Sequence, residues 1–385
     1  MTLPVLLRDR KVRDVLAQAL VAAALVALAV FFVRNASENM VKAGIASGFD
    51  FLWRDAGIEV PFQLTGYTPS SSILGLLWVG IVNTLLVSAV SIVLATALGF
   101  VIGVARLSRN GLLSDLATAY VEFVRNIPLL FFVLLCYAIV VNALPAPRAS
   151  LTLFGAALNN RGLVVPIPES VAGFRSAFGV LLFGLALQVA LVVRGRRRQA
   201  ATGRPFPSGR SGVVLLGLLP ALAFGAAGLT TAWDVPTLRG FNYRGGFVLV
   251  PEFVALVAAL STYTAGFVAE IVRAGILAVP GGQGEAAASL GLRPAQTLRL
   301  VTIPQALRVM IPPTTNQYLN VVKNSSFGAV IAYPDVVGLF MGSALNNTGQ
   351  AIEIVAITLA FYLAISLAVS AAMNWYNARS ALVTR

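Results

Sequence analysis

The sequence predicts an all-α, polytopic membrane protein, and three observations carry that prediction. Of 385 residues, 58% are hydrophobic and only 11% are charged, whereas a soluble globular domain is roughly one-quarter charged. Mean hydropathy is +0.84. The apolar residues are gathered into runs long enough, at about 17 to 25 residues, to cross a hydrocarbon core of roughly 30 Å as helices. Eight spans are predicted, at approximately 15–33, 78–104, 127–144, 178–193, 213–232, 251–276, 305–323 and 351–376. The fourth is short, and the seventh carries Gln, Asn and Pro.

The basic residues orient these spans. A net charge of +13 raises nucleic acid as a partner, but the placement of the charges argues against it. With the N-terminus inside, 19 of the 28 Lys and Arg residues fall in cytoplasmic segments and 8 in external ones, with Lys323 at a helix end. This asymmetry follows the positive-inside rule and predicts that both termini are cytoplasmic. The cluster RGRRRQAATGR, from Arg194 to Arg204, reads as a topology anchor beside anionic lipid, a specific partner site being the alternative. The basic-then-apolar N-terminus has the form of a signal peptide. Its apolar run exceeds the usual core of about 7 to 15 residues, so a retained first helix is expected. Cys136 stands alone in an apolar helix, where packing is the expected role and no intrachain disulfide can form.

Composition also removes several chemistries. There is no histidine, hence no imidazole base, metal ligand or Ser/His arrangement. None of the three lysines, Lys11, Lys42 and Lys323, follows a glycine, so the phosphate loop GxxxxGK followed by Ser or Thr is absent. Most of the 15 carboxylates fall in loops or at helix ends, which leaves few candidates for an intramembrane metal or proton site. The expectation is a transport or channel protein, with no metal and no cofactor in this chain.

Four segments follow from the pattern: an N-terminal helix with an external stretch (1–77), the first part of a helical bundle (78–144), an external stretch with an inserted hairpin and basic cytoplasmic loop (145–250), and the second part of the bundle (251–385). The bundle spans are rich in Gly, Ser, Thr and Asn, which let helices approach closely in lipid. The hairpin spans 178–193 and 213–232 are almost wholly aliphatic and read as a peripheral insertion. The external stretches 34–77, 145–177 and 233–250 mix aromatic residues with Pro and Gly. They read either as ordered loops that meet another protein or as plain connectors.

One passage breaks the apolar pattern: GEAAASLGLRPAQTLRLVTIPQ, residues 284–305, on the predicted cytoplasmic side. Residues 285–290 predict about two helical turns with Ala286, Ala287 and Leu290 on one face. Glu285 is placed at the helix start, against the positive end of the dipole. Gly291 permits the reversal that ends the helix, and Pro294 opens the next one, an arginine-dotted helix ending at Pro304. The predicted product is a short helix between firm corners, shaped to be gripped by something else.

These residues resemble a known family. EAAASLG, nine residues, then VTIP resembles the EAA loop of type I ABC importer permeases, whose pattern is EAA, three residues, Gly, nine residues, Ile, one residue, Leu-Pro. Val301 and Ile303 are mild departures. Upstream, YTAGFVAEIVRAGILAVPGGQGEAA from Tyr263 resembles the polar amino-acid branch of that family, as do PPTTNQYLNVVKNSSF from Pro312 and YVEFVRNIPLLFFVLLCY from Tyr120. The resemblance covers about 78–144 and 251–378, a core of five helices. The first helix and the pair at 178–232 are additions, and with them the chain is similar to the long permease of bacterial general L-amino-acid transporters, which carry glutamate, glutamine, aspartate and asparagine.

The resemblance implies that Glu285, Ala286, Ala287, Leu290, Gly291 and Pro304 couple the chain to a separate cytoplasmic ATPase, the segment Glu285 to Gly291 docking in a groove on it. ATP and Mg would be bound by that partner. It further implies a second permease subunit as heterodimer partner, two ATPase subunits, a periplasmic amino-acid-binding protein, and the inner membrane of a bacterium. ATP-driven closure would then rock the permeases between inward and outward openings.

Other residues admit two readings each. Glu122 with Arg125, and Glu270 with Arg273, are three apart and form either structural ion pairs or a gate. Asn83, Thr84, Thr262, Tyr263, Asn316, Gln317 and Asn320 line a translocation path or make packing hydrogen bonds, since a polar group left alone in lipid is costly. Lys323 attracts a substrate carboxylate or merely snorkels. Two rival functions stand beside the importer. An ion-coupled secondary transporter or channel would need intramembrane acids or an inverted repeat, neither of which is clear in the sequence. A non-transporting membrane assembly factor would bring no ATPase with it.

Overall fold

A computed structural model describes residues 10–42, 48–203 and 211–380 of the chain. The apolar runs become helices because, in hydrocarbon, a helix satisfies its own backbone N–H and C=O groups. The chain divides into two compact units, one comprising Met1–Cys136 with Leu256–Arg385 and the other Tyr137–Ala255.

In the first unit, α1 (Arg10–Lys42) is followed by a 3-10 turn at Asp50–Trp53 and by α2 (Ile73–Ala105). Ser72 caps α2, its Oγ accepting from the Gly75 N–H at 3.2 Å. Next come α3 (Gly111–Asn126) and α4 (Leu129–Asn142), which meet at 108°. The bend lies at Ile127, held extended by the following Pro128. After the second unit the chain continues through α7 (Pro251–Leu277), α8 (Gly281–Ser289), α9 (Pro294–Thr297), α10 (Ile303–Asn324), α11 (Leu345–Thr348) and α12 (Ala351–Ser380). Widened π-turns lie at Leu298–Thr302 and Val337–Ala344.

The second unit is a hairpin of α5 (Ala172–Thr202) and α6 (Leu219–Thr230), the latter preceded by a widened segment at Val213–Leu218. It also holds three small antiparallel sheets. The largest pairs β1 (Leu151–Leu153), β2 (Ala156–Asn159), β3 (Gly162–Val165) and β8 (Phe247–Leu249) in that order. The others pair β4 (Ile167–Pro168) with β5 (Trp233–Asp234), and β6 (Thr237–Arg239) with β7 (Asn242–Arg244). The helical class therefore holds for the membrane part, while stretches read as loops or connectors contain strands. These strands, two to four residues each, are too short to leave a period-2 signal.

Among the described residues, six helices are long and apolar enough to cross a membrane, and the bent pair α3 and α4 makes a seventh candidate. The predicted seventh span, 305–323, is helical as α10, but its polar residues keep it outside that set. The sequence reading missed α3 because only one side of it is apolar. It turns Val121 and Val124 inward and leaves Glu122 and Arg125 exposed.

Helices α2 and α7 pack through small residues. A Cβ on Gly99 would sit 2.6 Å from Val268 Cβ, and one on Gly103 would sit 2.6 Å from the Ala269 carbonyl oxygen. No side chain fits at such distances, so glycine sets the interhelical spacing. Met310 of α10 packs with Val268 and Val272 on α7. Near the start of α2, Phe51, Leu76, Val79, Phe340 and Ile354 form a buried cluster. Gly103→Leu is expected to destabilise the protein by about 2 kcal/mol through overpacking and to lower the melting temperature in detergent. Gly111→Ala, where a Cβ meets nothing within 4 Å, should leave that temperature unchanged.

Candidate coupling and translocation site

The EAA passage folds as a short helix between two corners. Pro280 precedes α8 with φ −57° and ψ 136°, and the helix starts directly after it. Gly281, Gly282 and Gly284 are therefore wound into α8, and Glu285 is its fifth residue rather than its first. The expected contact of Glu285 with the helix start is thus corrected: the proline corner sets the start upstream of the acid. At the other end Gly291 takes φ +76°. The Leu292 N–H donates to the Ala287 carbonyl at 3.1 Å and the Gly291 N–H to that of Ala288 at 2.9 Å, a Schellman closure that satisfies the last carbonyls. Pro294 opens α9 as anticipated.

The expected shared face of Ala286, Ala287 and Leu290 splits. Ala287 is buried, whereas Glu285, Ala286 and Leu290 are exposed, Leu290 to 83%. Gln305 Nε2 donates to Gln283 Oε1 at 3.3 Å, tying α10 to α8. The helix does not end at Pro304. Pro304 is the exposed second residue of α10, and the widened turn Leu298–Thr302 carries the chain past it. Such a turn accommodates a residue that lacks an N–H to donate.

Of the two expected ion pairs, one forms. Glu270 Oε1 accepts from Arg273 Nη2 at 2.6 Å, and Glu270 Oε2 accepts from Arg106 Nη1. Arg106 also donates from Nε to Thr118 Oγ1 at 3.3 Å. One carboxylate thereby joins the end of α2, the middle of α3 and α7. Glu122 and Arg125 form no ion pair among the described residues, which corrects that expectation. Arg125 instead lies 5.4 Å from the Phe267 ring centroid, a cation–π contact that competes with a weak exposed pair.

The expected pathway residues separate into interior and surface groups. Asn83 and Thr84 are fully buried. Asn83 Nδ2 donates to the carbonyls of Phe62 (3.0 Å) and Pro334 (2.9 Å), Thr84 Oγ1 accepts from the Val336 N–H at 3.1 Å, and Tyr333 donates its hydroxyl to the Asn83 carbonyl. Both side chains therefore make packing hydrogen bonds in the interior. Thr262 donates to the Ala258 carbonyl on its own helix and accepts from Tyr120 on its carbonyl. Tyr263 packs its ring 5.2 Å from that of Phe267 and 6.2 Å from that of Phe132. Asn316, Asn320 and Lys323 are exposed and Gln317 half-buried. Their helical spacing makes them one polar stripe along α10.

The chain matches, over residues 95–381, the family described as binding-protein-dependent transport system inner membrane component. The chain belongs to that family of permeases. It is 49% identical over 375 residues to the putative amino-acid ABC transporter permease protein YhdX of Escherichia coli, covering 97% of this chain and 95% of that protein. It is 45% identical to the general L-amino acid transport system permease protein AapQ of Rhizobium johnstonii, covering 98% and 94%. It is 38% identical to the glutamate/glutamine/aspartate/asparagine transport system permease protein BztB of Rhodobacter capsulatus, covering 97% and 95%. This permease is accordingly a multi-pass transport component of the inner membrane.

The structure of the permease adds residues the sequence reading passed over. Besides Arg106 and Thr118, two acids are buried. Asp335 accepts the Gly338 N–H at 2.8 Å, and Glu353 accepts the Gly48 N–H at 2.7 Å. The signal for Asp335 is an acid three residues before a helical N–H that it caps. Both acids serve as acceptors for backbone donors.

Two comparisons test the permease. Glu270→Gln should cost about 2 kcal/mol of stability, because it weakens hydrogen bonds to two guanidiniums that are only partly exposed; Glu122→Gln should cost less than about 0.5 kcal/mol. Likewise Asn83→Leu, which strips two buried carbonyls of their donor, should cost about 2 to 3 kcal/mol, and Asn320→Ala should fall within about 0.5 kcal/mol. Thermal and denaturant unfolding in detergent would measure all four.

Proposed function

We propose that this permease is the subunit of an ATP-driven importer that passes polar L-amino acids across the bacterial inner membrane. It takes its power from separate ATPase subunits. The observation that carries this reading is α8: an exposed short helix, fixed by the Pro280 corner and the Gly291 closure, with Glu285, Ala286 and Leu290 left facing outward. Such a helix receives force without bending, provided a partner grips it. Relatives named for amino-acid transport support the substrate class.

In this reading both termini and α8 are cytoplasmic, on the same side as the Arg194–Arg204 cluster. Two ATPase subunits bind ATP and Mg and close on nucleotide. A second, different permease completes the path, and a periplasmic binding protein delivers the amino acid. The polar stripe of Asn316, Gln317, Asn320 and Lys323 then faces the path, where water and substrate rather than lipid satisfy it. Closure of the ATPases favours one opening of the permease pair because α8 makes different contacts in the two states.

The decisive experiment is co-purification of an ATPase with the tagged chain, followed by uptake assays with a panel of amino acids. An ion-coupled transporter or an assembly factor would bring no ATPase. Glu285→Lys and Gly291→Val should each lower uptake roughly tenfold or more with membrane levels of the chain unchanged. The second variant forces a β-branched residue into a left-handed conformation. Normal uptake by both would refute the coupling role.

A further inference from the structure

The three small sheets of the second unit carry a surface that the transport reading leaves unused. Strands β1 to β4 lead into the start of α5, and β5 to β8 follow the end of α6. The sheets therefore sit at the end of the hairpin opposite Arg194, Arg197 and Arg198. With those arginines cytoplasmic, the sheets are outside the cell membrane.

Their surface is basic and aromatic. Arg148, Arg161, Arg239 and Arg244 are all exposed. Of the two acids in the same stretches, Glu169 is exposed, while Asp234 is half-buried and accepts the Gly246 N–H at 2.8 Å. Two guanidiniums are held in place: Arg148 lies 4.5 Å from the centroid of the Phe241 ring, and Arg161 donates to Asn242 Oδ1. Beside them Pro147, Arg161, Tyr243 and Val248 line a shallow concavity. Phe241 is 71% exposed and Phe154 is 94% exposed.

Phe154 is strained as well as exposed. With Gly155 it forms the two-residue turn between β1 and β2, at φ +47° and +80° respectively. A bulky residue is disfavoured in that conformation, where Gly or Asn is usual. Strain of this kind gathers at functional positions. Exposed aromatic rings and ordered arginines are the residues that anchor protein interfaces.

We propose that this surface, built around Arg148, Phe154, Arg161 and Phe241, docks the soluble external binding protein through a carboxylate-bearing face of that protein. The inference rests on the importer reading, which supplies the external partner. The charge selects an acidic partner and speeds its encounter. Two guanidiniums fixed by a ring and an amide suit carboxylates held at set positions on a folded protein better than mobile lipid headgroups.

The test uses the complete complex in lipid nanodiscs and the binding protein that stimulates its ATPase. The double variant Arg148→Glu with Arg161→Glu should weaken binding roughly tenfold or more and flatten its salt dependence, with assembly and unstimulated ATPase unchanged. Phe154→Gly relieves the turn and removes only the ring, so it should weaken binding several-fold without harming the fold. Undiminished affinity in both variants overturns the proposal. So does a Phe154→Trp chain whose added emission, read as the difference from the wild type with its four tryptophans, is quenched by brominated phospholipid and unmoved by the binding protein, which would assign the surface to the bilayer. If no binding protein stimulates even the wild-type complex, the importer reading falls too; stimulation that persists equally in the variants removes the docking proposal alone.

Discussion

The close approach of α2 to α7 at Gly99 and Gly103 is the contact on which the first unit depends. Between helices in lipid, apolar burial gives no drive, so shape and a few polar ties must hold them. The glycines bring the two backbones together, and Arg106, three residues beyond Gly103, thereby reaches Glu270, the neighbour of Ala269. From Arg106 the link passes to Thr118 on α3, while Val124 of α3 approaches Gly266 on α7. Helix α7 is thus gripped by α2 and α3, and by α10 through Met310. A wider spacing would leave Glu270 with Arg273 alone.

The elements legible in the sequence are those set by local chemistry. Runs of apolar residues give the spans because the solvent requirement acts on each run separately. Gly291 and Pro294 mark corners because steric rules act within one or two residues. What was not legible depends on distant partners. Glu122 with Arg125 and Glu270 with Arg273 share one spacing, yet among the described residues only the second pair forms, because Arg125 turns to the Phe267 ring of another helix. Asn83 and Asn320 look alike as polar residues in apolar runs. Only the fold turns Asn83 toward Phe62 and Pro334 and leaves Asn320 on the surface. The start of α8 was misplaced because three glycines weaken helix propensity, and the Pro280 corner outweighed them.

Between the exposed helix α8 and the polar stripe of α10 the chain has few independent parts. Gln283 bonds Gln305, Pro294 starts a helix that runs on, and α10 packs Ala306 and Met310 against Val268 and Val272. A displacement of α8 relative to the bundle acts at once on the first turns of α10. Coupling by rigid bodies needs no longer path than this.

The widened turn at Leu298–Thr302 carries a further consequence, one of phase. A turn of this kind holds one residue more than an ordinary helical turn, and each residue advances a helix by about 100°. All that follows is offset by that amount from where an unbroken helix out of Pro294 would put it. The azimuth at which Asn316, Asn320 and Lys323 look out of the bundle is therefore written roughly four to six turns upstream, in a stretch that holds none of the stripe's residues. A chain one residue shorter there would keep every side chain of the stripe and aim it elsewhere.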